Sequence, residues 1–320
     1  MAKALAKQDV EVYIIRIPRF GDKYAEVFNK IAERIPKEVD IIHCMHEYGL
    51  YNGLEDGFYN FLREHGKPVV TTMHATGNWQ VDRIIAEKSD AVIVHNKNMA
   101  KLFRGKSHII HHGVNVADCV PMDDAKKAYG IDPKALIVGY LGFISPYKGL
   151  ETLINVMENV PEAGLLIAGG WHTGGDTDYG VRLKDDSLRR LQSRCQWIGY
   201  VPEDRLPYAY GSLNILCQCS NYVSESGSLL TGVGFGKAII ARNLAPNVEK
   251  EKEHALMTFK GEKDLEEKLH MLLGDVNARK KLEEGARKYA YQNRWSPNIA
   301  EEYIALYNSA IKRYGQKKKR

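Results

Sequence analysis

Three histidines, one lysine and one serine-glycine turn have the residue types and positions to do chemistry in this sequence. His46, His74 and His112 each close a short apolar run of the kind that forms a strand. Open α/β sheets bind ligands at the carboxyl ends of their strands, so imidazoles there point to a cleft. Lys148 lies in the turn Gly142-Phe143-Ile144-Ser145-Pro146-Tyr147-Lys148-Gly149, directly after another apolar run. An ammonium at that place can neutralise a diphosphate, although a plain surface lysine in a turn explains it equally well. A second anion site reads in Ser224-Glu225-Ser226-Gly227-Ser228, ahead of an apolar helix. Free amides at a helix start favour an anion, and Gly227 allows close approach. Glu225 can accept hydrogen bonds from sugar or ribose hydroxyls. An ordinary helix cap also accounts for Ser226 and Glu225.

Other chemistries find no pattern. There is no His-Glu-x-x-His spacing and no CxxC pair, so no metal site is expected. The nicotinamide fingerprint is absent. The Walker pattern comes nearest at Gly232 to Lys237, but Ala238 stands where Ser or Thr is required. Glycines are costly inside a helix, so Gly232, Gly234 and Gly236 predict a close neighbour at each.

Val- and Ile-rich runs alternate with helical patterns. One series is Val12–Ile17, Ile41–His46, Pro68–His74, Ala91–His95 and His108–Val114. A second is Leu136–Gly142, Gly164–Gly169, Gln196–Tyr200, Leu213–Cys219 and Lys237–Ala241. Continuous apolar strands belong to parallel sheets covered on both faces. Strand, helix, strand in two series predicts two doubly wound α/β domains. The polar break near Asn115 places the boundary, giving domains 1–115 and 116–295. The closing helix reads over 296–314, with Ser296 as cap, Pro297 first and an apolar stripe through Tyr303, Leu306, Tyr307 and Ala310. Gly315 ends it, leaving a basic tail over 315–320. The chain opens inside a unit, since Val12–Ile17 directly follows a helix-like end. A first strand with its glycine turn is therefore expected to be lacking.

Composition sets the class. At 320 residues, 44% hydrophobic and 27% charged, the chain has material for two cores. The 45 basic and 40 acidic residues leave +5, but Lys317 to Arg320 supply most of it. A near-neutral body argues against a nucleic-acid partner. The five cysteines read as core thiols of a reducing compartment, with Cys217 and Cys219 expected on opposite faces of a strand. Met1–Lys7 lacks the apolar core of a signal peptide. These signs predict a cytoplasmic protein, with weak attraction of its tail to the inner face of an anionic membrane left open.

The motifs resemble, in order, those of the retaining glycosyltransferases of family 4. Asp40 to Leu50 is similar to that family's D-V-V-H-x-Q-H-E-Y-G signature, with Met45 for Gln. Val69 to Thr76 resembles its V-x-T-x-H strand end, and Ile110 to Asn115 its P-H-G-V-D turn. Gly142 to Gly149 resembles the G-x-I-R-P-Y-K-G loop, and Asn293-Arg294-Trp295-Ser296 the tryptophan before the final helix. The resemblance implies the GT-B architecture of two facing Rossmann-like domains, acceptor on the first and nucleotide-diphospho-sugar on the second. It implies His74, Lys148 and Glu225 as catalytic residues. It implies Gly142, Ser145, Lys148, Ser226, Gly227, Ser228, His112 and Gly113 around the donor, and His46, Glu47 and Tyr48 on the acceptor side. The reaction would retain the anomeric configuration without metal or cofactor. The acceptor would be a glycan, a lipid-linked glycan or a small molecule. Departures from the pattern point to a second reading. The loop's arginine is missing, with Phe143 and Ser145 at the candidate positions. Val223 and Thr231 stand where two glutamates are usual, and Glu225 is a candidate replacement for the first. A non-catalytic binding or partner protein on the same fold is the alternative.

Overall fold

The computed structural model describes residues 1–17, 24–51, 53–77, 79–103, 105–171 and 177–319. They form two compact units: 1–113 with 293–320, and 114–292.

In the first unit, β1 (Ile42–His46), β2 (Val69–Met73), β3 (Ala91–Val94) and β4 (Ser107–Ile109) make a parallel sheet in sequential order. β2 and β3 are buried along their whole length, as the unbroken apolar runs require. One face packs on the helices Tyr24–Glu33 and Glu55–Glu64 through Phe28, Ile31, Phe58 and Leu62. The other packs on the last helix, Ala300–Lys318, through Tyr303, Leu306, Tyr307 and Ala310. That helix differs from its expected bounds. Ser296 is extended (φ −130°, ψ 132°), residues 295–299 form a wide turn, and Gly315 lies inside the helix. Lys317 and Lys318 are therefore helical rather than tail.

The run Val12–Ile17 is not a strand; it has no regular structure and joins no ladder. Val12, Ile15 and Ile17 still pack inward, so the apolar signal reported burial rather than pairing.

In the second unit, β5 (Leu136–Leu141), β6 (Ala163–Ala168), β7 (Cys195–Gly199), β8 (Ile215–Gln218), β9 (Ile239–Arg242) and β10 (Met257–Phe259) form a parallel sheet. Its order is β10-β9-β8-β5-β6-β7. Two cores cover its faces, one around Leu153, Ile154 and Leu269, the other around Leu229, Val233 and Tyr289. Cys217 and Cys219 share a face, with sulfurs 3.6 Å apart, contrary to expectation. Residues two apart on a strand point the same way. The three helix-end glycines do have close neighbours. A Cβ on Gly232 would stand 2.2 Å from Leu216 Cδ2, and one on Gly234 would stand 2.1 Å from Asn115 O. Gly236 has a φ of +63° and abuts Arg287.

Candidate functional site

The carboxyl ends of β1 to β4 each deliver a histidine: His46, His74, His95 and His112. Three of these rings gather. His74 lies 5.3 Å from His95 and 6.0 Å from His112, and His95 lies 5.1 Å from His112. His95 Nδ1 donates to Ile110 O at 3.0 Å, and His112 Nδ1 donates to Gly113 O at 2.9 Å. Burial, then the His112 and His46 charges, lower the His74 pKa to about 4, so the ring is neutral at pH 7. His95 was not among the expected site residues. Its signal was available, because Ala91–His95 ends in a histidine just as its neighbours do.

His46 departs from its expected acceptor-side role. It is fully buried, stacked on Tyr51 at 4.9 Å, with Nε2 3.3 Å from Glu55 Oε1. No face of the ring is open to an acceptor, so it braces the loop that follows β1. Glu47 is exposed, and Tyr48 is half-buried beside Trp79. Gly113 is accounted for by packing. A Cβ there would fall 2.1 Å from Trp295 Cδ2, so the glycine lets the indole lie against the turn.

The second unit builds its site from two loops. After β5, Gly142 to Gly149 runs as a turn closed by the short helix Pro146–Lys148, with Ser145 at its cap position. Gly169 holds this loop down: a Cβ there would fall 1.8 Å from Gly142 O. Gly149 (φ +61°) lies against Cys219 O at the end of β8. Lys148 is half-buried, with Nζ 4.9 Å from the centre of the Tyr147 ring. Burial lowers its pKa, and no described carboxylate lies within ion-pair reach of it. A partly dehydrated ammonium without a counter-charge is suited to an anionic ligand.

The other loop leads into the helix Gly227–Gly234. Ser226 caps it, accepting from Leu229 N at 3.3 Å. Ser226 Oγ also lies 3.3 Å from Ser228 Oγ. A Cβ on Gly142 would be 3.4 Å from Ser228 Oγ, so the two loops adjoin. Gly227 is exposed and open above its Cα. Glu225 is not open in the way its sequence position suggests. Lys250 Nζ donates to its Oε2 at 2.8 Å, and Ser226 N donates to its Oε1 at 2.9 Å. The side chains of Lys250 and Glu225 are only 4% and 7% exposed. Glu225 is thus the counter-charge of a buried lysine, and its direct part is to shape the loop. Lys250 carried no sequence signal, being one of several charges in its helix. Thr231 donates to Gly227 O at 2.9 Å, so its hydroxyl serves the helix.

No group of three or more His, Cys, Asp or Glu is placed to hold a metal among the described residues. No helix among them is long and apolar enough to cross a membrane.

Comparison with known proteins agrees with this architecture. The family model for glycosyl transferases group 1 matches residues 121–289. A D-inositol 3-phosphate glycosyltransferase of Mycolicibacterium gilvum is 32% identical over 107 residues, 31% of this chain and 23% of the relative. The protein of that name from Mycobacteroides abscessus is 25% identical over 223 residues, 55% of this chain and 48% of the relative. The chain thus spans less than half the length of these curated relatives. Among solved structures, Thermosynechococcus elongatus sucrose-phosphate synthase has a TM-score of 0.75 and 21% identity, covering 92% of this chain and 80% of its own. Anabaena HepE, solved in complex with UDP, has a TM-score of 0.77 and 15% identity, covering 89% and 82%. These likenesses show a GT-B fold of two parallel-sheet α/β domains.

Proposed function

The chain belongs to the glycosyl transferases group 1 family, and from that membership we propose that it moves a sugar from a nucleotide-diphospho-sugar to a glycan, lipid-linked or small-molecule acceptor. The observation that carries the reading is Lys148: a half-buried ammonium, lowered in pKa by burial, in the Gly142–Gly149 loop whose Gly142 end adjoins Ser228 in the first turn of the helix Gly227–Gly234. The solved complex of the similar HepE with UDP supports a uridine donor.

In this mechanism Lys148 and the amides of Gly227 and Ser228 hold the diphosphate. They stabilise the negative charge that grows on it as the bond to the anomeric carbon breaks. The acceptor hydroxyl attacks from the same face and passes its proton to the departing phosphate oxygen, so configuration is retained. His74 is neutral at pH 7, so in this reading its imidazole can hydrogen-bond a sugar hydroxyl without adding a cation. Neither metal nor separate cofactor enters this proposal, because Lys148 and the amides carry the charge. Action in the cytoplasm, with weak holding to an anionic membrane by Lys317–Lys319, is part of the same reading. Vesicle flotation before and after deletion of residues 317–320 tests that part.

A second reading is a non-catalytic partner protein on the same fold. Phe143, 52% exposed in the Gly142–Gly149 loop, and the neutralised Glu225 favour it. Release of UDP from UDP-glucose, abolished by Lys148→Ala with unchanged folding, supports transfer. Nucleotide binding with no turnover on any donor supports the partner reading.

A further inference from the structure

The sheet of the first unit ends at β1, and beyond that edge lies a cavity of about 840 Å³. Ile42 N donates to Pro68 O at 3.0 Å, and His74 N donates to His46 O at 3.3 Å. Residues 42, 44 and 46 therefore turn their backbone groups to β2, and those of His43 and Met45 face the cavity. No described backbone group pairs with them. The far wall of the cavity is the run of residues 10–17. Its side chains alternate as a strand's do: Val10 and Val12 pack into the core beside the last helix, Ile15 and Ile17 into the core on the opposite face. Yet no described residue pairs with its backbone. Two strand-like rails thus flank one gap. Apolar side chains line both faces of the gap, Ile31, Phe58 and Leu62 on one and Leu5, Ile304 and Tyr307 on the other. Peptide groups aimed into such a gap need hydrogen-bond partners that its walls do not supply.

We propose that this gap is the seat of one β-strand supplied by a partner polypeptide. An extended segment there completes a ladder with β1 on one side and with residues 10–17 on the other, by β-augmentation. A strand between two apolar layers must be apolar at every position, and about five or six Val- or Ile-like residues make one of ordinary length. Charge selects its flanks. Asp9, Glu11, Glu38 and Asp40 are exposed around the cavity against one base, Arg16, so lysine or arginine suits either end. A small apolar ligand would fill the volume but leave the His43 and Met45 peptide groups unpaired. A second copy of this chain fits poorly. Its β2 and β3 are already buried in their own sheet, and its residues 10–17 carry Glu11 and Arg16.

The test adds to the whole chain a peptide of about six alternating Val and Ile residues flanked by lysines. The same peptide with Pro at its centre is the control, since Pro cannot complete the ladder. Hydrogen exchange at the His43 and Met45 amides should slow by about tenfold with the peptide at about ten times its Kd, and the Pro peptide should leave it unchanged. Met45→Pro removes a donor that faces the gap rather than β2, and Ile15→Asp sets a carboxylate in the far wall. Either should abolish the slowing at His43, while the β2 and β3 amides stay protected and report an intact sheet. The proposal is overturned if neither peptide slows exchange, if both act alike, or if both variants respond as the parent does. It is equally overturned if the His43 and Met45 amides are already slow in the chain alone, or become fast only when a dimer is diluted apart. Those two results would give the gap to this chain itself or to a second copy.

Discussion

Acid should loosen the first unit through two half-buried imidazoles, His43 and His74. His43 is closed in, with Nε2 2.8 Å from Thr72 Oγ1 and Nδ1 2.5 Å from Tyr307 Oη. Burial, then the charge of His74, lowers its pKa to about 3, and His74 is lowered to about 4. In the unfolded chain both titrate near their ordinary 6.5. A base with a depressed folded pKa takes its proton in the unfolded state first. Stability is therefore full above pH 6.5, falls below it, and stops falling near the folded values. At pH 5 both folded rings are still neutral. Moving from pH 7 to pH 5 then costs about 2 kcal/mol per ring, about 4 kcal/mol together, against a typical domain stability of about 5–15 kcal/mol. Hydrogen exchange of the β1–β3 amides at pH 7, 6 and 5, corrected for intrinsic rates, reads the stability of this unit alone. The His43→Gln/His74→Gln double variant should lose most of the pH dependence, since carboxylate effects are common to both proteins. Equal pH dependence in the double variant and the parent would refute the reasoning.

Three further outcomes are expected. Gly113→Ala drives a methyl into Trp295 and should destabilise the first unit by about 1–3 kcal/mol, measured by denaturant titration. Glu225→Gln strands the Lys250 charge and should cost about 3–5 kcal/mol, most of it regained in Glu225→Leu/Lys250→Met, again by denaturant titration. Because burial lowers the Lys148 pKa, nucleotide affinity should fall as pH rises through that depressed value, and Lys148→Ala should flatten the profile in calorimetry.

Periodicity exposed the sheets, since Val69–Met73 and Ala91–Val94 are buried on both faces and must be apolar throughout. Where burial and pairing part company, it misled: Val12–Ile17 packs inward without a ladder. Helix Val276–Gln292 was hidden by Gly285, a poor helix former whose Cβ would fall 2.0 Å from His254 O. Residue type and strand-end position made His74, His112 and Lys148 candidates. Partnership was not readable. Nothing in the order of residues told that Lys250 would claim Glu225, that Glu55 and Tyr51 would enclose His46, or that Asp82 would hold Trp79 outward. Such pairings join residues from separate elements, and one sequence without its fold carries no distance between them.

The measurement that bears most directly on the donor site is calorimetric titration of UDP, GDP and ADP into the whole chain, beside Lys148→Ala. One nucleotide, expected to be UDP, should bind, and the variant should weaken it by about tenfold or more. Failure of all three to bind, or equal affinity in the variant, would contradict a donor site built on Lys148.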